Sequence, residues 1–365
     1  MPPKNKSAQQ RLLNEARRLE RRFGHRSAML ASEHIELDVV PSGILALDYV
    51  LGTGGWPRGH PVEVYGKNDI GKSSLVGLSA LRNAQAQGLL CGYIAVEPGF
   101  DEIWAERHGV DNDRLLIVRP DDAEDAFSVL SDWVHGDVID FIVFDSIGAL
   151  IQESETGPEG KMKMGGVSSL ATWGAKNILM PTWKNNKGVI LLNQVRHDMN
   201  ARIPGQMKPF GAEAMRHLCA MRVELKQAGT PYKVGSGEAV EEIGRKMVAV
   251  VHRNKLNEGS KQRAEFDFYH KETADHPLGV DVGKDVVNTA IRTRVFEGSG
   301  YFTHRTFPGQ KHQIHGREAV EKFVLDNPEV IAAIREDVLS AMLERQANRG
   351  KKVVNEAPEG SDDGE

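Results

Sequence analysis

"VEVYGKNDIGKSSLVGLSALRNAQAQ", residues 62–87, carries three patterns in immediate succession. Residues 62–65 form a short, largely apolar run that reads as a buried strand, and residues from 73 onward read as a helix. Between them Gly66, Gly71, Lys72 and Ser73 fit G-x-x-x-x-G-K-[ST], in the strand-to-helix setting that this pattern requires. The glycines let backbone N–H groups turn inward on a phosphate, and the helix start adds the positive end of its dipole. Gly66, Lys67, Asn68, Asp69, Ile70, Gly71, Lys72, Ser73 and Ser74 are therefore read as the cradle of a nucleotide. Lys72 is expected to reach the β- and γ-phosphates and the Ser73 hydroxyl to ligate Mg²⁺.

Outward from this stretch, further apolar runs recur at 89–96, 115–118, 141–144, 189–192 and 247–251, separated by longer helical patterns. Runs without polar alternation indicate a parallel sheet covered on both faces, hence an α/β fold. In such a sheet the ligand crevice lies at the carboxyl ends of the strands. "FIVFDS" ends in Asp145, which suits the Mg²⁺ shell, directly or through water; a solvated strand-end acid is the plainer alternative. "YIAVEPGF" ends in Glu97, a candidate base for the attacking water, the alternative being a surface or capping glutamate. "VILLNQVR" ends in Asn193–Gln194, amides suited to sensing a γ-phosphate, the alternative being a plain loop pair.

The chain has 365 residues, 40% hydrophobic and 27% charged, with a formal net charge of -5. That balance excludes a uniformly basic nucleic-acid protein and confines any DNA surface to local patches. Cys91 and Cys219 lie in apolar runs, as buried thiols of a reducing compartment do. No apolar stretch approaches 18 residues and the start is no signal peptide, so a cytoplasmic protein is expected. Residues 9–23 read as a basic amphipathic helix, packed on its own domain or docked on a neighbouring subunit. "ESETGPEGKMKMGG" (153–166) and "DMNARIPGQMKPFGA" (198–212) read as mobile polar loops, and 355–365 as a disordered acidic tail.

In this order the motifs resemble the RecA recombinase family. Besides the phosphate loop, the resemblance is carried by "RRFGHRSAML", "PSGILALDYVLGTGGWPRGHPVEVYG", "GFDEIWAERHGVDNDRLLIVRPDDAEDAF", "IDFIVFDSIGAL", "LLNQVR" and "VVHRNK". It is strongest over 20–270 and weaker to 345. It implies a RecA-type P-loop ATPase core with a mostly parallel sheet, an N-terminal oligomerisation helix region (1–33), a core over 34–268, a small α/β C-terminal domain over 269–345 and a tail over 346–365. It also implies ATP with Mg²⁺, a homo-oligomeric helical filament on single-stranded DNA, and pairing with homologous duplex DNA.

By the same resemblance Glu97 is the catalytic glutamate and Gln194 couples the γ-phosphate to the loop after it. Trp104 stands where the family stacks an aromatic on adenine, with Asp101 beside it; a core tryptophan is the other reading. Arg253 and Lys255 stand where two cations cross to the neighbouring subunit's ATP. The two polar loops correspond to the DNA-binding loops. Lys161, Lys163 and Met164 fall in the first, Lys176 just beyond it, and Arg196, Arg202, Ile203 and Lys208 in the second. The chain departs from the pattern at Ala95 and Pro98, where an acid and a histidine are usual, and at Glu213, where an asparagine is usual. These departures bear on the hydrolysis rate and its coupling to DNA, and suit a specialised, for instance phage-encoded, member working in a host cytoplasm. The competing functions are a single-strand coating filament with little hydrolysis, a helicase or remodeller of the same fold, and a metabolic kinase.

Overall fold

The computed structural model describes residues 6–24, 26–32, 37–97, 99–148, 173–198, 206–235, 240–257, 262–276 and 278–355. A basic helix, α1 (Lys6–Phe23), leads into a short pair β1 (Val39–Val40) and β2 (Trp56–Pro57) flanking α2 (Leu45–Leu51). β3 (Val62–Gly66) runs into the phosphate loop. A π-helical stretch Lys72–Leu78 follows and passes into α3 (Ser79–Ala86). Next come β4 (Cys91–Ala95), α4 (Glu102–Arg107), β5 (Leu115–Val118), α5 (Ala123–His135) and β6 (Phe141–Asp145). After a second π-helical stretch (Ala175–Leu179) stand α6 (Met180–Lys184), β7 (Gly188–His197), β8 (Met207–Pro209) and α7 (Ala212–Leu218). β9 (Met221–Val234), β10 (Glu241–Asn254), β11 (Gln262–Tyr269) and β12 (Gly279–Val280) extend the sheet. The chain ends in α8 (Val282–Thr293), the hairpin β13 (Tyr301–Thr303) with β14 (Gln313–His315), α9 (Arg317–Asp326) and α10 (Pro328–Asn355).

The main sheet has the order β12-β11-β10-β9-β3-β7-β6-β4-β5, with β8 paired to β7. From β9 to β5 neighbouring strands are parallel. The unbroken apolar runs follow from burial on both faces. In β6, Phe141 and Val143 enter one core cluster while Ile142 and Phe144 enter the other; β7 divides Ile190 and Leu192 from Val189 and Leu191 in the same way. A third cluster joins Leu45 of α2 to Val286 and Val287 of α8, Val320 of α9 and Ile334 of α10.

Two expectations need correction. The run 247–251 belongs to β10, which pairs antiparallel to both β9 and β11 rather than continuing the parallel sheet. β9 and β10 are each 14 residues long and form a ribbon, so the apolar run alone carried no sign of direction. The second polar loop is also shorter than expected, because β7 continues to His197 and pairs with Met207–Pro209. The composition of that segment hid the strand, since its side chains are only half-buried.

Candidate nucleotide-binding and catalytic site

β3 delivers the chain to the phosphate loop beside β9. A Cβ on Gly66 would stand 2.7 Å from the Leu225 carbonyl oxygen, so the close approach of β9 requires glycine there. Asp69 and Gly71 both take positive φ, 57° and 88°, and close the loop at the start of the π-helical stretch. Lys67, Asn68 and Asp69 are exposed, whereas Ile70 is anchored in the core. Lys72 is buried, and its ammonium donates to the carbonyls of Lys67 at 2.9 Å and Gly66 at 3.4 Å. Burial lowers its pKa, against the pull of Asp145, Glu97 and Asp69 in the other direction.

Three parallel strands bring their carboxyl ends to this loop. Asp145, at the end of β6, accepts hydrogen bonds from the Ser73 hydroxyl and, at 2.5 Å, from the Tyr93 hydroxyl of β4. Burial pushes the Asp145 carboxyl up, opposed by those two hydroxyls. A serine hydroxyl and a carboxylate side by side are hard oxygen donors, a set that suits Mg²⁺. Glu97, just beyond β4, is exposed and is held by two neutral donors, the Ser146 hydroxyl at 2.5 Å and the Gln194 carboxamide at 2.5 Å. The Glu97 carboxylate, the Gln194 amide, the Ser73–Asp145 pair and the Lys72 ammonium thus share one end of the sheet.

Trp104 is half-buried on α4, and its indole N–H donates to Ser74 at 2.9 Å, which sets the ring beside the phosphate loop. Arg107 lies over the Trp104 ring at 5.5 Å. Asp101 serves as the cap of α4, accepting from the Trp104 backbone N–H at 2.9 Å.

Asn193 departs from the expectation of two amides facing a phosphate. It is fully buried, and its amide donates to Glu63 at 2.7 Å and to the Phe210 carbonyl at 2.8 Å. Its carbonyl oxygen accepts from the Gln194 N–H at 2.8 Å. Only Gln194 faces Glu97, because successive strand residues point to opposite sides of the sheet. Glu63 in turn pairs with Arg222 of β9. Burial pushes the Glu63 carboxyl up while the neighbouring guanidinium pulls it down.

Arg253 and Lys255 are not brought to the loop of their own chain. Arg253 and Asn254 pair with Arg222 and Met221 of β9, which stand beside Glu63 and Val62 at the opposite end of β3 from Gly66. The Lys255 ammonium donates to the His217 carbonyl at 3.2 Å, and burial together with Arg253 lowers its pKa. Among the loop cations, Lys161, Lys163, Met164, Arg202 and Ile203 lie outside the described residues. Lys176 is exposed on the second π-helical stretch. Arg196 packs over the Phe210 ring at 4.8 Å, and Lys208 pairs with Asp198 at 2.7 Å across the β7–β8 hairpin.

Sequence reasoning missed Ser146, Tyr93 and the Glu63–Arg222 pair. Ser146 had a signal, since it follows Asp145 at the same strand end. Tyr93 and Glu63 had none, because each sits inside an apolar run and its partner comes from another strand.

The family model described as RecA N-terminal domain matches residues 10–275. Among curated relatives, Protein RecA of Thermus thermophilus is 30% identical over 365 residues, covering 99% of this chain and 100% of the relative. Protein RecA of Thermotoga maritima is 29% identical over 367 residues, covering 97% and 99%. Protein RecA of Roseiflexus castenholzii is 29% identical over 347 residues, covering 93% and 94%. With the mixed α/β sheet and the phosphate loop at its carboxyl end, these matches show that the chain belongs to the RecA family.

Proposed function

We propose that this protein is a DNA-dependent ATPase that assembles as a helical filament on single-stranded DNA and carries out homologous pairing and strand exchange. The observation that carries this reading is Glu97, a carboxylate fixed by Ser146 and Gln194 at the strand end that also holds Lys72 and the Ser73–Asp145 pair. Glu97 would accept the proton of the attacking water, and its two donors hold one oxygen in place while leaving the other to receive it. Lys72 would leave the Gly66 and Lys67 carbonyls for the phosphates. Ser73 and Asp145 would hold Mg²⁺, the latter through water, where it supplies charge neutralisation at the phosphates.

Gln194 lies between Glu97 and the hairpin of β7 and β8, so its state at the phosphate is transmitted to the segment proposed to bind DNA. Arg253 and Lys255, turned away from their own loop, fit a role at the neighbouring protomer's nucleotide. We assign Trp104 to the adenine face, and residues 269–345 to a small C-terminal domain after a core of 34–268. Lys176, Arg196 and Lys208, with Lys161, Lys163, Met164, Arg202 and Ile203, are the proposed DNA contacts.

ATP turnover measured with and without single-stranded DNA tests the reading. Stimulation by DNA, with Glu97→Gln cutting turnover about a hundredfold or more while nucleotide binding persists, is the expected result. Turnover that ignores DNA would favour a coating protein.

A further inference from the structure

Between β10–β11 and α8 lies a cavity of about 590 Å³, and none of its lining residues belongs to the phosphate loop or to the surroundings of Glu97. Its wall carries more cations than carboxylates. Lys246 and Arg263 share a single acid, Glu265, at 3.5 and 2.6 Å. Lys284 and the Tyr232 hydroxyl both hold Asp267, at 3.1 and 2.6 Å. The two oxygens of Asp285 are taken by the N–H groups of Leu45 and Ala46, at 2.5 and 3.1 Å. Arg317, which also lines the cavity, pairs with Glu321 at 2.9 Å.

Arg292 is different. Its guanidinium donates to the Arg263 carbonyl at 3.1 Å and lies over the Tyr49 ring at 5.8 Å, with no carboxylate partner among the described residues. One turn earlier on the same face of α8 stand Asn288 and Thr289, which also line the cavity. Asn288 has no side-chain hydrogen-bond partner among the described residues, and Thr289, 2% exposed, keeps a buried hydroxyl without one. A guanidinium, an amide and a hydroxyl with spare donors, set in a recess of surplus positive charge, call for an anion with several oxygen acceptors. The volume falls in the range of small-molecule sites, and Tyr232 and Phe266 add aromatic wall.

We propose that this cavity is a second anion site, taking a small phosphorylated molecule of nucleotide size through Arg292, Asn288 and Thr289. Occupancy ties α8 to the sheet extension and so stabilises the folded chain in proportion to ligand concentration. The proposal does not depend on the ATPase reading.

The test is calorimetric titration of inorganic tripolyphosphate, at fixed ionic strength, into the full chain carrying Lys72→Ala to weaken the phosphate loop. Saturable binding with a rise in melting temperature is expected. Arg292→Gln should weaken binding about tenfold or more, the loss of a charge-assisted contact. Lys246→Gln, a change at an exposed side chain, should weaken it by a smaller factor and decides the matter if Arg292→Gln does not fold. ATP and GTP should displace tripolyphosphate from the Lys72→Ala chain. Absence of binding, an unchanged Kd in the variants, or displacement by a short DNA duplex but by neither nucleotide would each overturn the proposal.

Discussion

Glu97 reaches solvent as a carboxylate whose orientation is set by Ser146 and Gln194. Ser146 is buried, so removing its hydroxyl leaves Glu97 with one donor and a wider range of rotamers. If Glu97 is the base, as proposed, Ser146→Ala is expected to lower kcat about tenfold with little change in KM, because the contact orients that carboxylate rather than the substrate. Steady-state ATP turnover checks this, and an equal rise in KM would mean that the hydroxyl serves binding instead. Deeper in the sheet, Glu63 is fully buried against Arg222, whose Nη2 has no partner among the described residues. Glu63→Gln leaves that guanidinium without its counter-charge and should cost about 3–5 kcal/mol of stability. Urea denaturation would show the loss, and the double change Glu63→Leu with Arg222→Met should recover only part of it, because the buried Asn193 amide then loses its Glu63 acceptor. Asn193 joins the two centres, since one carboxamide contacts Glu63, the Phe210 carbonyl and the Gln194 N–H.

Among the elements, α2 shows how a short helix can depend on distant sequence. Its own cap position, Ile44, offers no side-chain hydrogen bond, and Asp285 of α8 supplies the missing acceptor at Leu45 and Ala46. Arg335 of α10 pairs with Asp48 in the same helix at 2.5 Å. Burial pushes the Asp285 carboxyl up to about 7 from an ordinary value of 3.8, with the two backbone N–H groups acting in the opposite direction. The folded state therefore holds this proton more tightly than the unfolded chain. Below the ordinary value the group costs nothing. Its penalty grows as pH rises from about 4 to about 7 and is constant above that. The melting temperature of the wild type minus that of Asp285→Asn should accordingly fall across this window and level off above it. Thermal melts at a series of pH values check the sign, and a difference that is flat between pH 4 and 7 would contradict it.

For the whole molecule, the nucleotide end of the sheet and the Arg253–Lys255 end point in different directions, which suits a head-to-tail assembly. A chain with Arg253→Ala and Lys255→Ala and a chain with Lys72→Ala should each be inactive alone. Mixed in equal amounts they should recover about one quarter of the wild-type turnover, because random head-to-tail association forms an intact interface in that share of contacts. Cations acting within one chain would leave the mixture inactive, as read by ATP hydrolysis on single-stranded DNA.

Local order along the chain determined much of this protein: the glycine-bracketed loop, the strand-end positions of Glu97 and Asp145, and a sheet covered on both faces, whereas β7 runs on past Gln194 to His197. Each of these depends on neighbours within a few residues, so spacing and polarity reveal them. Tertiary structure alone decided the antiparallel course of β10, the pairing of Met207–Pro209 with β7, the inward turn of Asn193 and the cap that Asp285 places on α2. In every one of these cases the partner lies on another element, brought close only when the sheet assembles. Strand direction and a buried polar partner leave no period in the sequence, because both are set by which backbone or side chain arrives opposite.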